Sequence, residues 1–131
     1  MGKTKKIIMT VEKTSTGFSA FSEKYAIFTT GQNVPDLINH AYEAVRFYFE
    51  IENITITTNE IGFEIDFEQF FKYYKVLNAK FLAKKIGMNA SLLSQYVQGH
   101  KKPSRKQTEK ILMGIHQIGQ ELSDIKLLQT V

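Results

Sequence analysis

The chain has 131 residues, of which 43% are hydrophobic and none is cysteine, and its formal net charge is +4. This composition suits one compact domain or two very small ones, and it excludes a disulfide framework, a thiolate metal site and a cysteine nucleophile. The basic start of the chain leads into only three apolar residues, Ile7 to Met9, and no apolar run approaches the roughly 18 residues of a membrane span, so we expect a cytoplasmic protein.

The first forty residues predict three short strands. Runs rich in β-branched and aromatic residues occupy Ile7–Val11, Phe18–Phe21 and Tyr25–Thr30, and polar residues that favour turns separate them. This spacing fits two antiparallel hairpins, which together form a three-stranded meander.

A helix is expected next. Asn33 is a suitable N-cap, Pro35 suits the first turn, and Asp36 favours the positive end of the helix dipole. Apolar residues then recur at spacings of three and four, so one helix face should pack on the sheet. These residues are Leu37, Ile38, Ala41, Ala44, Val45, Tyr48 and Phe49.

The segment after this helix predicts two alternating strands, Ile54–Thr57 and Ile61–Ile65, and a short aromatic helix, Phe67–Tyr74. The aromatic cluster of that helix suggests either a stacking platform for nucleic acid or, as we favour, a core or a domain seam. Because the sequence pattern changes here, we expect an α/β domain over residues 1–66 and a helical domain over residues 67–131. The fold class predicted is therefore α+β, with a small antiparallel sheet and one packed helix preceding an all-α domain.

Residues that typically begin or end helices follow one another closely from Asn78 onward. Asn78 can cap a helix that ends at Gly87, and Asn89 can cap a second helix, Ala90–Gln98, which stops at Gly99. Two short helices joined by a tight turn that begins with Gly form a helix-turn-helix. The apolar positions of the two helices are Phe81, Leu82, Ile86, Leu92, Leu93, Tyr96 and Val97, with Ala83 small enough for close helix packing.

Positive charge is concentrated in the same segment. Between Asn78 and Lys110 the chain has eight basic residues and a single acidic residue, Glu109. A basic module beside a near-neutral remainder suggests contact with a polyanion, although a lysine-rich surface is often only a solvated one.

Residues 82–104, LAKKIGMNASLLSQYVQGHKKPS, resemble the Cro/C1-type repressor helix-turn-helix in their Leu-Ala opening, polar cap, apolar pair, aromatic residue and Gly-x-x-x-Pro-Ser ending. The resemblance implies that Ala90, Ser91 and Gln95 face base edges. It further implies phosphate contacts at Asn78, Ala79, Gln98, Lys101 and Lys102. The alternative is that Ser91 and Gln95 are merely solvent-facing residues on an amphipathic helix.

The C-terminal tail predicts a further helix. Ser104 and Gln107 form a possible capping box, and the apolar stripe Ile111, Ile115, Ile118, Leu122 and Ile125 continues toward Leu128. Because this stripe exceeds what a small helical core needs, its distal part is expected to pair with a second copy. We therefore predict a homodimer on a palindromic operator. Gly114 and Gly119 count against one continuous helix.

The order of elements over residues 5–65 is similar to that of HicB-type antitoxins. The similarity lies in Val11-Glu12-Lys13, Gly17 to Phe21, Thr30-Gly31 and the helix ending Ala41-x-x-Ala44-Val45, whereas Ser22-Glu23-Lys24-Tyr25 stands where that family often has Pro-x-Leu-Pro-Gly. The resemblance implies a truncated RNase H-like domain that binds a small RNase toxin, and an antitoxin that represses its own operon. A stand-alone repressor that uses the sheet domain for dimerisation or for another partner is the alternative.

A metal-dependent RNase is the remaining interpretation. That chemistry needs several carboxylates converging on two Mg²⁺ ions. Glu12 lies at a strand end, and Glu64 and Asp66 lie on one face of a later strand, which is typical of solvated residues. The three histidines, His40, His100 and His116, show no metal-ligand spacing. We therefore expect no catalysis, no metal and no cofactor.

Overall fold

The computed structural model describes residues 6–125 and residue 128. The chain divides into two compact units, Met1–Tyr73 and Tyr74–Val131. The α+β class predicted from the sequence is confirmed, because a four-stranded sheet precedes a helical region. Within the described residues, no helix is both long enough and apolar enough to cross a membrane.

The first unit is built on a sheet of four strands: β1 (Ile7–Thr14), β2 (Gly17–Phe21), β3 (Phe28–Gly31) and β4 (Ile61–Ile65). The strand order is β3-β2-β1-β4. Antiparallel pairing of β1 with β2 and of β2 with β3 confirms the predicted meander. The fourth strand, β4, runs parallel to β1. Because parallel strands require a long crossover, the helix between β3 and β4 serves as that connection.

The crossover helix, α1 (Val34–Glu50), packs on the sheet through the predicted apolar face. The Asn33 side chain accepts a hydrogen bond from the Asp36 backbone N–H at 2.9 Å, so the predicted N-cap is confirmed. A Cβ atom on Gly31 would lie 2.6 Å from the Leu37 Cα atom, so only glycine lets β3 approach α1 this closely. The buried core of the unit comprises Ile7, Met9, Ala20, Ile27, Leu37, Val45, Phe49, Ile56 and Ile61.

Two strand predictions were wrong. The segment Ile54–Thr57 is not a strand. Its first residue is bonded to the end of α1 instead, because the Ile54 backbone N–H donates to the Phe49 carbonyl at 3.0 Å, and Asn53 before it adopts a φ of 58°. A short 3-10 helix, Thr58–Glu60, then leads into β4. The strand predicted from Tyr25 begins only at Phe28, because the Tyr25 backbone N–H is bonded to the Ser22 hydroxyl at 2.9 Å within a turn.

The short aromatic helix, α2 (Phe67–Tyr73), belongs to the first unit. The Gln69 side chain accepts from the Lys13 backbone N–H at 2.9 Å and donates to the Lys13 carbonyl at 2.6 Å, which fixes α2 to β1. The Lys13 ammonium group also lies 5.3 Å from the ring centroid of Tyr73. The division between the units therefore follows Tyr73 instead of following Asp66, where the change of sequence pattern had put the domain boundary.

The second unit contains three helices: α3 (Ala79–Ile86), α4 (Ala90–Val97) and α5 (Arg105–Ile125). The last of these confirms the predicted C-terminal helix and is continuous through both Gly114 and Gly119. The predicted continuation over residues 126–127 lies outside the described residues. Buried side chains of the unit are Leu82, Ala83, Met88, Leu93, Tyr96 and Ile111.

Candidate nucleic-acid interface

The turn between α3 and α4 is fixed by local hydrogen bonds. The Asn78 side chain accepts from the Phe81 backbone N–H at 2.9 Å and so caps the start of α3. At the other end, Gly87 is left-handed, with a φ of 69°, and the Met88 backbone N–H donates to the Ala83 carbonyl at 2.9 Å. This is a Schellman ending, which requires a residue that tolerates positive φ and so explains the glycine.

Both ends of α4 are defined equally well. The Asn89 side chain accepts from the backbone N–H groups of Ser91 at 2.9 Å and Leu92 at 3.1 Å. At the C-terminal end, Gly99 has a φ of 76° and the His100 backbone N–H donates to the Gln95 carbonyl at 2.9 Å. Because the cap and the Schellman ending both hold the backbone, the direction in which each α4 side chain points is determined by its position in the helix.

The two faces of α4 differ sharply in burial. Leu93 is completely buried, at 0% exposure, and Tyr96, three residues further along the helix, is also buried. The exposed residues of the helix and its two caps are Asn89, Ala90, Ser91, Gln95 and Gln98. Ser91 and Gln95 are four residues apart and therefore lie on one face, one turn apart. All three residues predicted to meet base edges are thus exposed, and two of them share one face of α4.

The residues predicted to contact phosphate flank this surface in sequence. Asn78 and Ala79 form the start of α3, where Asn78 is exposed and Ala79 is half-buried. Helix geometry leaves the Ala79 backbone N–H without an intrahelical acceptor, so its contribution would come from the main chain. On the other side, Lys101 and Lys102 lie exposed in the segment between α4 and α5.

Ion pairs within the helical unit engage Lys85 and Arg105. Lys85 lies 3.1 Å from Glu121, and Arg105 lies 3.2 Å from Glu109. Six further lysines of the segment from Asn78 to Lys110 are exposed: Lys80, Lys84, Lys101, Lys102, Lys106 and Lys110. The helical unit therefore presents a surplus of positive charge to solvent, which is the electrostatic requirement for binding a polyanion.

One contact that supports α4 was missed from the sequence. A Cβ atom on Gly114 would lie 3.0 Å from Leu82 Cδ1 and would collide with Ile86 Cγ2. Gly114 therefore lets α5 cross α3 at close range and so closes the small core behind α4. The available signal was a glycine beside the apolar stripe of α5, which the sequence analysis only counted against a continuous helix and did not connect with a close helix crossing.

The structure describes two of the carboxylates that were considered for an RNase. The Asp66 side chain accepts from the Gln69 backbone N–H at 3.1 Å at the start of α2, while Glu64 is exposed on β4. His40 Nδ1 lies 2.7 Å from the Thr30 carbonyl oxygen. Across residues 6–125 and 128, no group of three or more His, Cys, Asp or Glu side chains is arranged to hold a metal ion.

No protein-family model, no curated protein and no solved structure matches this chain. The candidate interface therefore rests on the residues and geometry described above. The resemblances to the Cro/C1-type helix-turn-helix and to HicB-type antitoxins remain predictions from sequence.

Proposed function

We propose that the protein is a transcriptional regulator that binds double-stranded DNA sequence-specifically through α4. The observation that carries this proposal is the joint exposure of Ala90, Ser91 and Gln95 on a helix whose backbone is fixed at both ends. Exposed polar residues alone would fit a solvated helix. The combination with a helix-turn-helix geometry and with the surrounding lysines favours DNA.

The proposed contacts follow from the shape and chemistry of B-form DNA. Its major groove is about 12 Å wide and admits one α-helix. In that groove the Gln95 amide can bond adenine in a bidentate manner, the Ser91 hydroxyl can donate or accept, and the Ala90 methyl group can contact a thymine methyl group. Lys101 and Lys102 would meet backbone phosphates, which adds affinity without sequence information.

The experiment that tests this function is selection of bound duplexes from a random DNA library by the full chain, followed by sequencing. We expect one motif to be enriched, and we expect it to be palindromic, because a two-fold dimer presents two copies of α4. Recovery of unrelated duplexes with equal affinity would leave only non-specific binding to a polyanion and would contradict the proposal.

The distal part of α5 supports the dimer. The stripe that begins at buried Ile111 continues to Leu122 and Ile125, which are 57% and 56% exposed. These residues follow the stripe at helical spacings of three and four, so they lie on the same side of α5 as its buried residues. We propose that a second copy covers this end of the helix.

The dimer is tested by sedimentation of variants. The double substitution Leu122→Glu with Ile125→Glu should convert a dimer to a monomer, because it places charge in an apolar contact. The matched control is Met113→Glu, which changes an exposed residue about 200° around α5 from Ile111. The control should remain dimeric. A monomeric wild type, or equal dissociation of the control, would contradict the proposed dimer contact.

We further propose that the regulator is an antitoxin that represses its own operon. Support comes from the HicB-like residues of the first unit and from the presence of a sheet unit beside a DNA-binding unit in one chain. The test is the gene's neighbourhood: a small adjacent reading frame whose product binds this chain and arrests growth is the expected result. A gene without such a neighbour would contradict the antitoxin proposal and would favour a stand-alone repressor.

A further inference from the structure

An apolar pair is exposed on the side of α1 that faces away from the sheet. Phe47 is 68% exposed, and Ile51, which continues the helical backbone at its C-terminal end, is 73% exposed. Phe47 is two residues, about 200° around the helix, from both Val45 and Phe49, which are buried against the sheet. Phe47 and Ile51 are one turn apart, so they form one apolar surface.

Acidic side chains border this surface. Glu43 precedes Phe47 by one turn, and Glu50 follows it by three residues, so both lie on the same side of α1. Both carboxylates are exposed. We call Glu43, Phe47, Glu50 and Ile51 the outer face of α1. The whole first unit is also acidic, with ten Asp and Glu residues against seven Lys and Arg residues over residues 1–73.

The charges decide between possible occupants of this surface. Nucleic acid and an anionic lipid surface would be repelled by Glu43 and Glu50. Exposed Arg46 lies three residues after Glu43 and four before Glu50, so this border keeps a net charge of −1, and two copies of α1 packed face to face would meet with like net charge. An apolar centre with an acidic rim instead complements a protein surface with an apolar centre and a basic rim.

We propose that the outer face of α1 is a docking surface for a basic protein partner whose apolar side chains cover Phe47 and Ile51. The proposed contact uses other residues than DNA binding does, since α1 belongs to the first unit and α4 to the second. Steering by the acidic rim would speed association at low salt, and burial of the apolar pair would slow dissociation.

The test uses the full chain and a synthetic probe, an amphipathic helical peptide of about 18 residues with Leu on one face and Lys elsewhere. Binding is followed by fluorescence anisotropy. The double substitution Phe47→Ser with Ile51→Ser should weaken binding at least about tenfold, because two large apolar side chains leave the contact. Charge reversal by Glu43→Lys with Glu50→Lys should also weaken it and should reduce its dependence on salt.

Phe28 provides a matched control. It is 66% exposed, has the same side chain and belongs to the same unit. It pairs with Phe21 on the sheet face opposite to buried Ala20, and so faces away from α1. We expect Phe28→Ser to change peptide binding by less than about twofold, as for a residue outside a hot spot. A thermal unfolding transition of the sheet unit at the wild-type temperature would show that each variant is folded.

Two results would overturn the proposal. If Phe28→Ser weakens peptide binding as much as the α1 variants do, the peptide adheres to any exposed apolar residue. If the wild type self-associates and the Phe47 and Ile51 substitutions abolish that association, the surface belongs to a second copy of this chain instead of a basic partner.

Discussion

The two units of the chain differ in charge and in the surface that each presents. Residues 1–73 have a formal net charge of −3, and residues 74–131 have a formal net charge of +7. The acidic unit exposes an apolar pair, Phe47 and Ile51, whereas the basic unit exposes a polar helix face that includes Ser91 and Gln95. The two units therefore present solvent-exposed surfaces of different chemistry, one with an apolar pair and one polar and basic.

The largest expected effect concerns the core that supports α4. Replacing Leu93 by Ala removes a completely buried side chain and should lower the free energy of unfolding by about 2–5 kcal/mol. Hydrogen exchange resolved by residue is the measurement. Protection should fall in α3, α4 and α5 and persist in β1 and β2. Equal loss in both units would show that they unfold as one body, which would contradict their separation.

A pair of glycine substitutions in α5 tests how closely α5 crosses α3 in the basic unit. Gly114→Ala should destabilise it by about 1–3 kcal/mol, because the added methyl group collides with Ile86 and crowds Leu82. Gly119→Ala should stabilise it by up to about 1 kcal/mol, because nothing lies within 4 Å and alanine favours a helix. Denaturant unfolding of both variants should show shifts of opposite sign. Shifts of the same sign would contradict the close crossing of α3 and α5.

In the acidic unit, Gln69→Ala should cost about 1–2 kcal/mol, since it removes two hydrogen bonds to the backbone of Lys13. Thermal unfolding is the measurement. The control is Gln120→Ala, at an exposed position of α5, which should shift stability by less than about 0.5 kcal/mol. Equal effects of the two substitutions would mean that α2 is not anchored through Gln69.

The smallest expected effect separates phosphate contact from base contact. Lys101→Ala should weaken binding to all duplexes alike, and it should reduce the slope of log affinity against log salt by about 0.9, the value for one phosphate contact. Lys24→Ala, which removes an exposed lysine from the acidic unit, should leave that slope unchanged. An unchanged slope for Lys101→Ala would exclude its phosphate contact.

The basic unit was largely predictable from the sequence because its structural signals are local. Asn78, Gly87, Asn89 and Gly99 each define a helix end through hydrogen bonds to residues within five positions. A reader of the sequence can recognise such signals without knowing the fold. The predicted ends of α3 and α4 accordingly agree with the structure to within one residue.

The acidic unit was less predictable because its structure depends on distant residues. Parallel pairing of β1 with β4 joins Ile7 to Ile61, and the Gln69 contact joins α2 to Lys13, 56 residues away. Alternation alone made Ile54–Thr57 resemble a strand, but the pairing edge of β1 is occupied by Ile61–Ile65. Local pattern cannot distinguish which of two alternating segments obtains a partner.

The central claim, that α4 contacts bases through Gln95, is tested most directly by the base preferences of two glutamine variants. Gln95→Ala should cost about 1–3 kcal/mol on the selected duplex and should relax preference at one base pair per half-site. Gln98→Ala, which alters an exposed residue assigned to phosphate contact, should weaken all duplexes alike. A Gln95→Ala protein whose base preferences equal those of the wild type at every position would contradict the claim.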